Sequence, residues 1–162
     1  MNLYITSGTP EFMESIKKKH EKEKLYVLHG VGNSVLLHET SGKTVFQAPR
    51  KYEILEASGQ FAEKGYFVLQ HVPVSEEGKP IFEYEYTKLS PTMEPEPGFI
   101  ALRVLKPINS DTYIILSEWT GPNSYDVWEK AHPMNFKEVA DKQPFFTSAP
   151  YVSTYSSVQE EA

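Results

Sequence analysis

Apolar and polar positions alternate over short runs along this chain, and glycine, proline and asparagine interrupt them often, which predicts many short elements. Leu3 to Thr6 reads as a strand with a turn at Ser7-Gly8. Thr9-Pro10-Glu11 then reads as a helix start, with a hydroxyl N-cap, proline at the first helical position and acid in the first turn. Phe12, Met13 and Ile16 give that helix its apolar stripe. Lys17-Lys18-Lys19 and His20 close it, where positive charge suits the helix dipole. Leu25 to Leu28, Val35 to His38 and Thr44 to Gln47 read as a meander turning at Gly30-Val31-Gly32-Asn33 and Thr40-Ser41-Gly42-Lys43. Tyr52, Ile54 and Leu55 give Ala48 to Gly59 a helical pattern, and the polar stretch Ser58 to Gly65 marks a boundary.

Beyond that boundary the order is sharper. Tyr66 to Val74 is β-rich, and Ile81, Phe82, Tyr86 and Leu89 make Glu76 to Leu89 helical. Three prolines between Ser90 and Gly98 end that helix. Phe99 to Leu105 and Thr112 to Leu116 form a hairpin. A second helix starts at Asn123-Ser124 with Tyr125, Val127 and Trp128, is broken at Pro133 and resumes with Phe136, Val139 and Ala140. Tyr151 to Val158 closes as a strand. The expected organisation is α+β: a small α+β region over residues 1–64, then a ferredoxin-like β-α-β-β-α-β domain over 65–162. Its sheet carries helices on one face and leaves the other to a partner subunit or to the first 60 residues.

Composition narrows the chemistry. Sixteen Lys and Arg against 22 Asp and Glu leave a net charge of -6, which repels a phosphate backbone and argues against sequence-independent nucleic-acid binding. The 162 residues contain no cysteine, so disulfides, thiolate nucleophiles and Cys-ligated metals are excluded and a cytoplasmic address is expected. No apolar window is long enough for a membrane span, and no basic-then-apolar leader opens the sequence. The Gly30-x-Gly32 pair lacks the third glycine and the strand-to-helix context of a phosphate loop.

Tyr113-Ile114-Ile115-Leu116-Ser117-Glu118-Trp119, then Tyr125-Asp126-Val127-Trp128 and Asn135-Phe136-Lys137-Glu138-Val139-Ala140, resembles the second half of the Isd-type haem-degrading monooxygenases. Those enzymes belong to the antibiotic-biosynthesis-monooxygenase superfamily of dimeric ferredoxin-like barrels. The opening Leu3 to Thr9, the centre His38 to Pro49, and Arg103 to Tyr113 resemble longer members that carry an extra amino-terminal region. The resemblance implies a homodimer that takes haem as both cofactor and substrate, with an external electron donor, ring opening by oxygen and iron release.

Carried over by residue, the family's helix Trp is Trp128, its first-strand Asn is Gln70, and its iron-ligating His falls on Ala140. Gln70 keeps the amide and adds one methylene of reach. Alanine binds no iron, so other ligands enter. Tyr86, on the apolar stripe of its helix, brings a phenol that could bond an iron-bound ligand or bind iron itself. His132 stands four residues after Trp128, ahead of Pro133, which disfavours helical geometry there. His71 neighbours Gln70, but strand alternation sends the two to opposite faces unless a bulge intervenes. The candidate set is thus Gln70, Tyr86 and Trp128 for catalysis, with His132 and His71 for haem contact and Tyr86 or His132 for iron. Trp119 and Tyr84 read as structural or surface residues. Two other readings share these features: a haem-binding carrier or sensor without turnover, and a signalling protein of the TRAP type, whose layout is similar.

Overall fold

The computed structural model describes residues 1–134 and 146–157. In chain order they form β1 (Asn2–Gly8), α1 (Pro10–Lys19), β2 (Leu25–His29), β3 (Ser34–Thr40), β4 (Arg50–Ser58), β5 (Tyr66–Pro73), α2 (Lys79–Tyr86), α3 (Ser90–Met93), β6 (Phe99–Ile108), β7 (Thr112–Trp119), α4 (Pro122–Ala131) and β8 (Tyr151–Ser156). The eight strands close one antiparallel barrel in the order β1-β3-β2-β8-β5-β7-β6-β4.

That order contains the same arrangement twice. Residues 2–58 give β4-β1-β3-β2 and residues 66–156 give β8-β5-β7-β6, so in each set the first strand lies between the fourth and the third. The second set, with α2 and α4 on one face, is the expected ferredoxin-like α+β unit. The first repeats its strand order, with residues 41–49 where a second helix would stand. The sets join at two seams. One is long, β4 pairing with β6 from Lys51↔Ile108 to Ser58↔Leu102, and the other is the single pair His29↔Ser156 between β2 and β8.

Strand alternation then sorts the side chains into three layers. Phe67 and Leu69 of β5 face the barrel interior with Leu3, Leu37, Leu105, Ile114 and Leu116. Val68 and Val72 face outward, under α2, α3 and α4, with Phe82, Tyr113, Trp119 and Trp128. Met13 of α1 covers the outside of the first set with Tyr4, Leu36 and Phe46. The sheet face expected to await a partner subunit or the first 60 residues is covered by the chain's own β1 to β4. Association of two subunits through that face therefore has no free surface to use. No helix among the described residues is long and apolar enough to cross a membrane.

Several local expectations change. The stretch Ala48 to Gly59 holds not a helix but a strand, β4 (Arg50–Ser58), and the helical look of Tyr52, Ile54 and Leu55 comes from a bulge. Ile54 pairs with Leu105 and Glu56 with Val104, so Leu55 is the extra residue and turns to the helix side. Thr44 to Gln47 is not a strand; it is the loop that packs Phe46 onto α1's layer. The helix expected over Glu76 to Leu89 is shorter, and Pro91 lies in the first turn of the separate α3. β1 runs on through the turn expected at Ser7-Gly8, and α4 starts at Pro122 behind Gly121. Thr9 caps α1 as expected, its Oγ1 accepting the Phe12 N–H at 3.2 Å, a bond of the type worth about 1 kcal/mol. The helical piece expected at Phe136, Val139 and Ala140 lies outside the described residues, as does Val158.

A polar tie crosses the apolar interior. Arg103, between Ala101 and Leu105 on β6, donates through Nε to Glu39 Oε2 of β3 at 2.7 Å and through Nη2 to Oε1 at 3.4 Å. Its Nη1 reaches the carbonyls of Ser58 at 3.0 Å and Leu102 at 2.8 Å. Both side chains are nearly inaccessible, at 5% and 11%. Removing one partner strands a desolvated charge, so Glu39→Ala should lower unfolding free energy by roughly 3–5 kcal/mol. Urea denaturation checks this, and an unchanged midpoint would show that the pair does not hold the two halves together.

Candidate functional site

The outer layer of the second half holds the sequence candidates. Its floor is β5, β6 and β7, with Val68, Gln70, Leu102, Val104, Tyr113, Ile115 and Trp119 beneath the helices. Phe82 and Tyr86, four apart on α2, and Tyr125 and Trp128, three apart on α4, form its roof because those spacings share one helix face. The rings touch one another: Phe82 to Tyr113 at 4.5 Å, Phe82 to Tyr86 at 4.8 Å, Trp119 to Tyr125 at 5.8 Å and Trp119 to Trp128 at 6.0 Å between centroids.

The polar atoms in this layer are engaged. Gln70 Nε2 donates to the Tyr125 hydroxyl at 2.9 Å, and burial pushes that phenol up to about 12 despite the Gln70 bond. Tyr86 Oη donates to the Met134 carbonyl at 3.4 Å; burial, then the Glu85 charge, raises its phenol as well. Trp128 Nε1 donates to the Thr92 carbonyl at 3.1 Å, and Tyr113 Oη to Glu83 Oε2 at 2.8 Å. At neutral pH these phenols are protonated donors and acceptors, not ready nucleophiles or anionic ligands.

Gln70, Tyr86 and Trp128 are therefore brought together, as the sequence suggests. Of the two histidines, His71 is turned away and His132 meets only Trp128, at the helix end. His71 faces away from Gln70, into the barrel, where Nε2 meets Ser153 Oγ at 2.8 Å and the ring stacks on Tyr151 at 4.3 Å. Burial, with the Arg50 guanidinium adding to it, holds His71 down to about 4, so it is neutral at pH 7. His132 caps the end of α4, exposed, with its ring stacked on Trp128 at 5.6 Å. Ala140 lies outside the described residues. Trp119 is structural, its Nε1 bonded to Ser117 Oγ at 2.9 Å, and Tyr84 is exposed under Lys88. No cluster of three or more His, Asp or Glu positioned for a metal ion occurs among the described residues.

Haem does not fit this layer as it stands. Phe82, Trp119 and Trp128 are fully buried against their neighbours, and ring separations of 4.5 to 6.0 Å leave no slot for a macrocycle. The described buried side-chain oxygens without a partner are Glu56 Oε2 and Glu118 Oε2, and neither belongs to a candidate residue.

Comparison with known proteins agrees with the fold and divides on the function. Residues 65–135 match the antibiotic biosynthesis monooxygenase (ABM) family model. The match runs from the start of β5 to the end of α4, the layer just described. The signal transduction protein TRAP of Staphylococcus epidermidis is 27% identical over 157 residues, covering 96% of this chain and 94% of that one. A haem-degrading monooxygenase of Listeria monocytogenes is 25% identical over 129 residues, covering 80% and 77%. Among solved structures, a major regulator of staphylococcal pathogenesis superposes with a TM-score of 0.87 at 22% identity, covering 98% of this chain and 100% of that one. The ABM match and these likenesses support the ferredoxin-like α+β architecture.

Tyr125 was legible as a helix residue but not as the partner of Gln70. Its place on α4's buried face, three before Trp128, was the available signal. Replacing Tyr125 by Phe removes the acceptor and leaves a buried amide unpaired, which should cost roughly 1–3 kcal/mol. Thermal unfolding checks this, and the double variant Gln70→Leu/Tyr125→Phe should regain most of the loss.

Proposed function

We propose that this chain is a regulatory protein of the TRAP kind on the ABM fold, without oxygenase turnover. The observation that carries this reading is the Gln70–Tyr125 bond, closing a layer already filled by the chain's own aromatic rings. Three further points support it. The family's iron-ligating position falls on Ala140, the phenols of the candidate Tyr86 and of Tyr125 stay protonated at neutral pH, and the relative named for signal transduction is matched over nearly all of both chains. In this reading residues 1–64 seal the interior face of the sheet and residues 65–162 carry the surface that a regulator presents.

Haem degradation is the second reading. The convergence of Gln70, Tyr86 and Trp128 in one layer and the Listeria relative favour it. Haem would supply the oxygen chemistry and an outside donor the electrons, while the chain would have to separate α4 from β7 to admit the ring.

Haemin titrated into the purified chain separates the two. The expected result is no saturable change in the Soret band. Saturable binding followed by decay of the band, once a reductant is added with catalase present, would replace the regulatory reading by haem degradation. Saturable binding with a persistent band would make the chain a haem carrier or sensor.

A further inference from the structure

Glu118 lies on the inward-facing side of β7 with Ile114 and Leu116, and it is completely buried. Its Oε1 accepts the Ala62 N–H at 2.9 Å, while Oε2 has no partner among the described residues. A side chain on Gly65 would run into the same carboxylate, so the linker backbone meets it at both Ala62 and Gly65. That segment is the linker between the two halves of the barrel. It leaves β4 through Gly59, whose φ of 72° and closeness to the Ile100 carbonyl suit glycine. Between the two glycines it inserts Phe61 into the interior cluster, with ring centroids 5.0 Å from Tyr26 and 5.8 Å from Phe67 and the Arg103 guanidinium 4.8 Å away.

The groups facing Glu118 do not neutralise it. From β2 comes the Tyr26 phenol, itself raised by burial and then by Glu39, with Glu118 adding to that. From β6 comes Arg103, committed to Glu39 of β3. Phe67 of β5 pairs opposite Glu118 and Tyr155 of β8 packs on the same interior cluster, while the linker's Glu63 and Lys64 are exposed. None of the described ion pairs includes Glu118. A buried carboxylate in that position costs free energy when ionised and little when protonated.

We propose that Glu118 is a proton-operated latch on the linker: protonated, it holds residues 59–65 and the Phe61 plug in the barrel mouth, and ionised, it releases them. On the regulatory reading this gives the protein an input near neutral pH. The latch itself is a property of the chain alone and does not depend on haem.

Burial pushes Glu118 up to about 7 from the ordinary carboxylate value of 4.5, with the Ala62 N–H pulling it partly back. The folded state then binds this proton more tightly than the unfolded chain does. Its stabilising contribution is complete below 4.5, falls as pH rises toward 7, and stays lost above that.

Amide hydrogen exchange at Ala62, corrected for the intrinsic pH dependence of exchange, tests the latch at acidic and alkaline pH in the haem-free protein. Protection in the native chain should drop by about tenfold or more between the two, while Glu118→Gln, neutral throughout, should hold it constant. Equal protection at both pH values in the native chain, or a Glu118→Gln profile that follows the native one, would overturn the proposal. Should the variant fail to fold, a carbon-13 titration of the native Glu118 carboxyl decides: a midpoint near 7 supports the latch, and an ordinary carboxylate midpoint removes it. Neither outcome bears on haem binding, so the two tests fail separately.

Discussion

A ferredoxin-like sheet has two apolar faces, and helices from its own crossovers cover only one. The other must meet something, and in this chain it meets a second sheet supplied by residues 2–58. The rest of the structure follows from that closure. Because β1 to β4 repeat the strand order of β5 to β8, the interior can be filled from both sides by leucine, isoleucine and phenylalanine without a second subunit. One seam is long, β4 on β6. The other, β2 on β8, is a single pair, and the linker carrying Phe61 supplements it from within.

The closure also explains where the polar groups are. Arg103 and Glu39 sit on opposite sheets and neutralise each other across the interior, a geometry that two separate halves could not hold. Removing water from such a pair is costly, and the fourfold hydrogen bonding of Arg103 offsets much of that cost. Glu118 has no such counterpart. Its one firm bond goes to the linker, so the place where the halves are joined is also where an uncompensated carboxyl is stored.

The second half was legible because its signals are local. Alternation marked β5, β7 and β8, and paired aromatics three and four apart marked the buried faces of α2 and α4; in the first half the local signal Thr9-Pro10 likewise marked α1. β4 was not legible, since one inserted residue at Leu55 converts a period of two into a spacing that resembles a helix. Likewise, the sequence showed a first region of strands but not that those strands complete a barrel, because pairings such as Lys51↔Ile108 link residues far apart in the chain. Glu118 lay open to inspection as the charged member of an otherwise apolar alternating set, Ile114, Leu116, Glu118. The resemblance drew attention instead to the tryptophans on either side.

The departures from the haem-enzyme pattern point in one direction. Where the resemblance implies an asparagine on the first strand of the domain, this chain has Gln70, and the extra methylene carries the amide across the layer to Tyr125. The bond ties β5 to α4 within the aromatic layer. Where it implies a histidine ligand, the chain has Ala140, so nothing at that position draws iron in. Trp128 survives both changes, but its indole N–H is bonded to the Thr92 carbonyl and its rings pack on Trp119 and Tyr125. A residue that would press on a macrocycle thus acts here as a core residue. The same fold that opens a cleft for a cofactor can be filled by side chains alone, and among the described residues Gln70, Tyr125 and Trp128 pack against one another in that way.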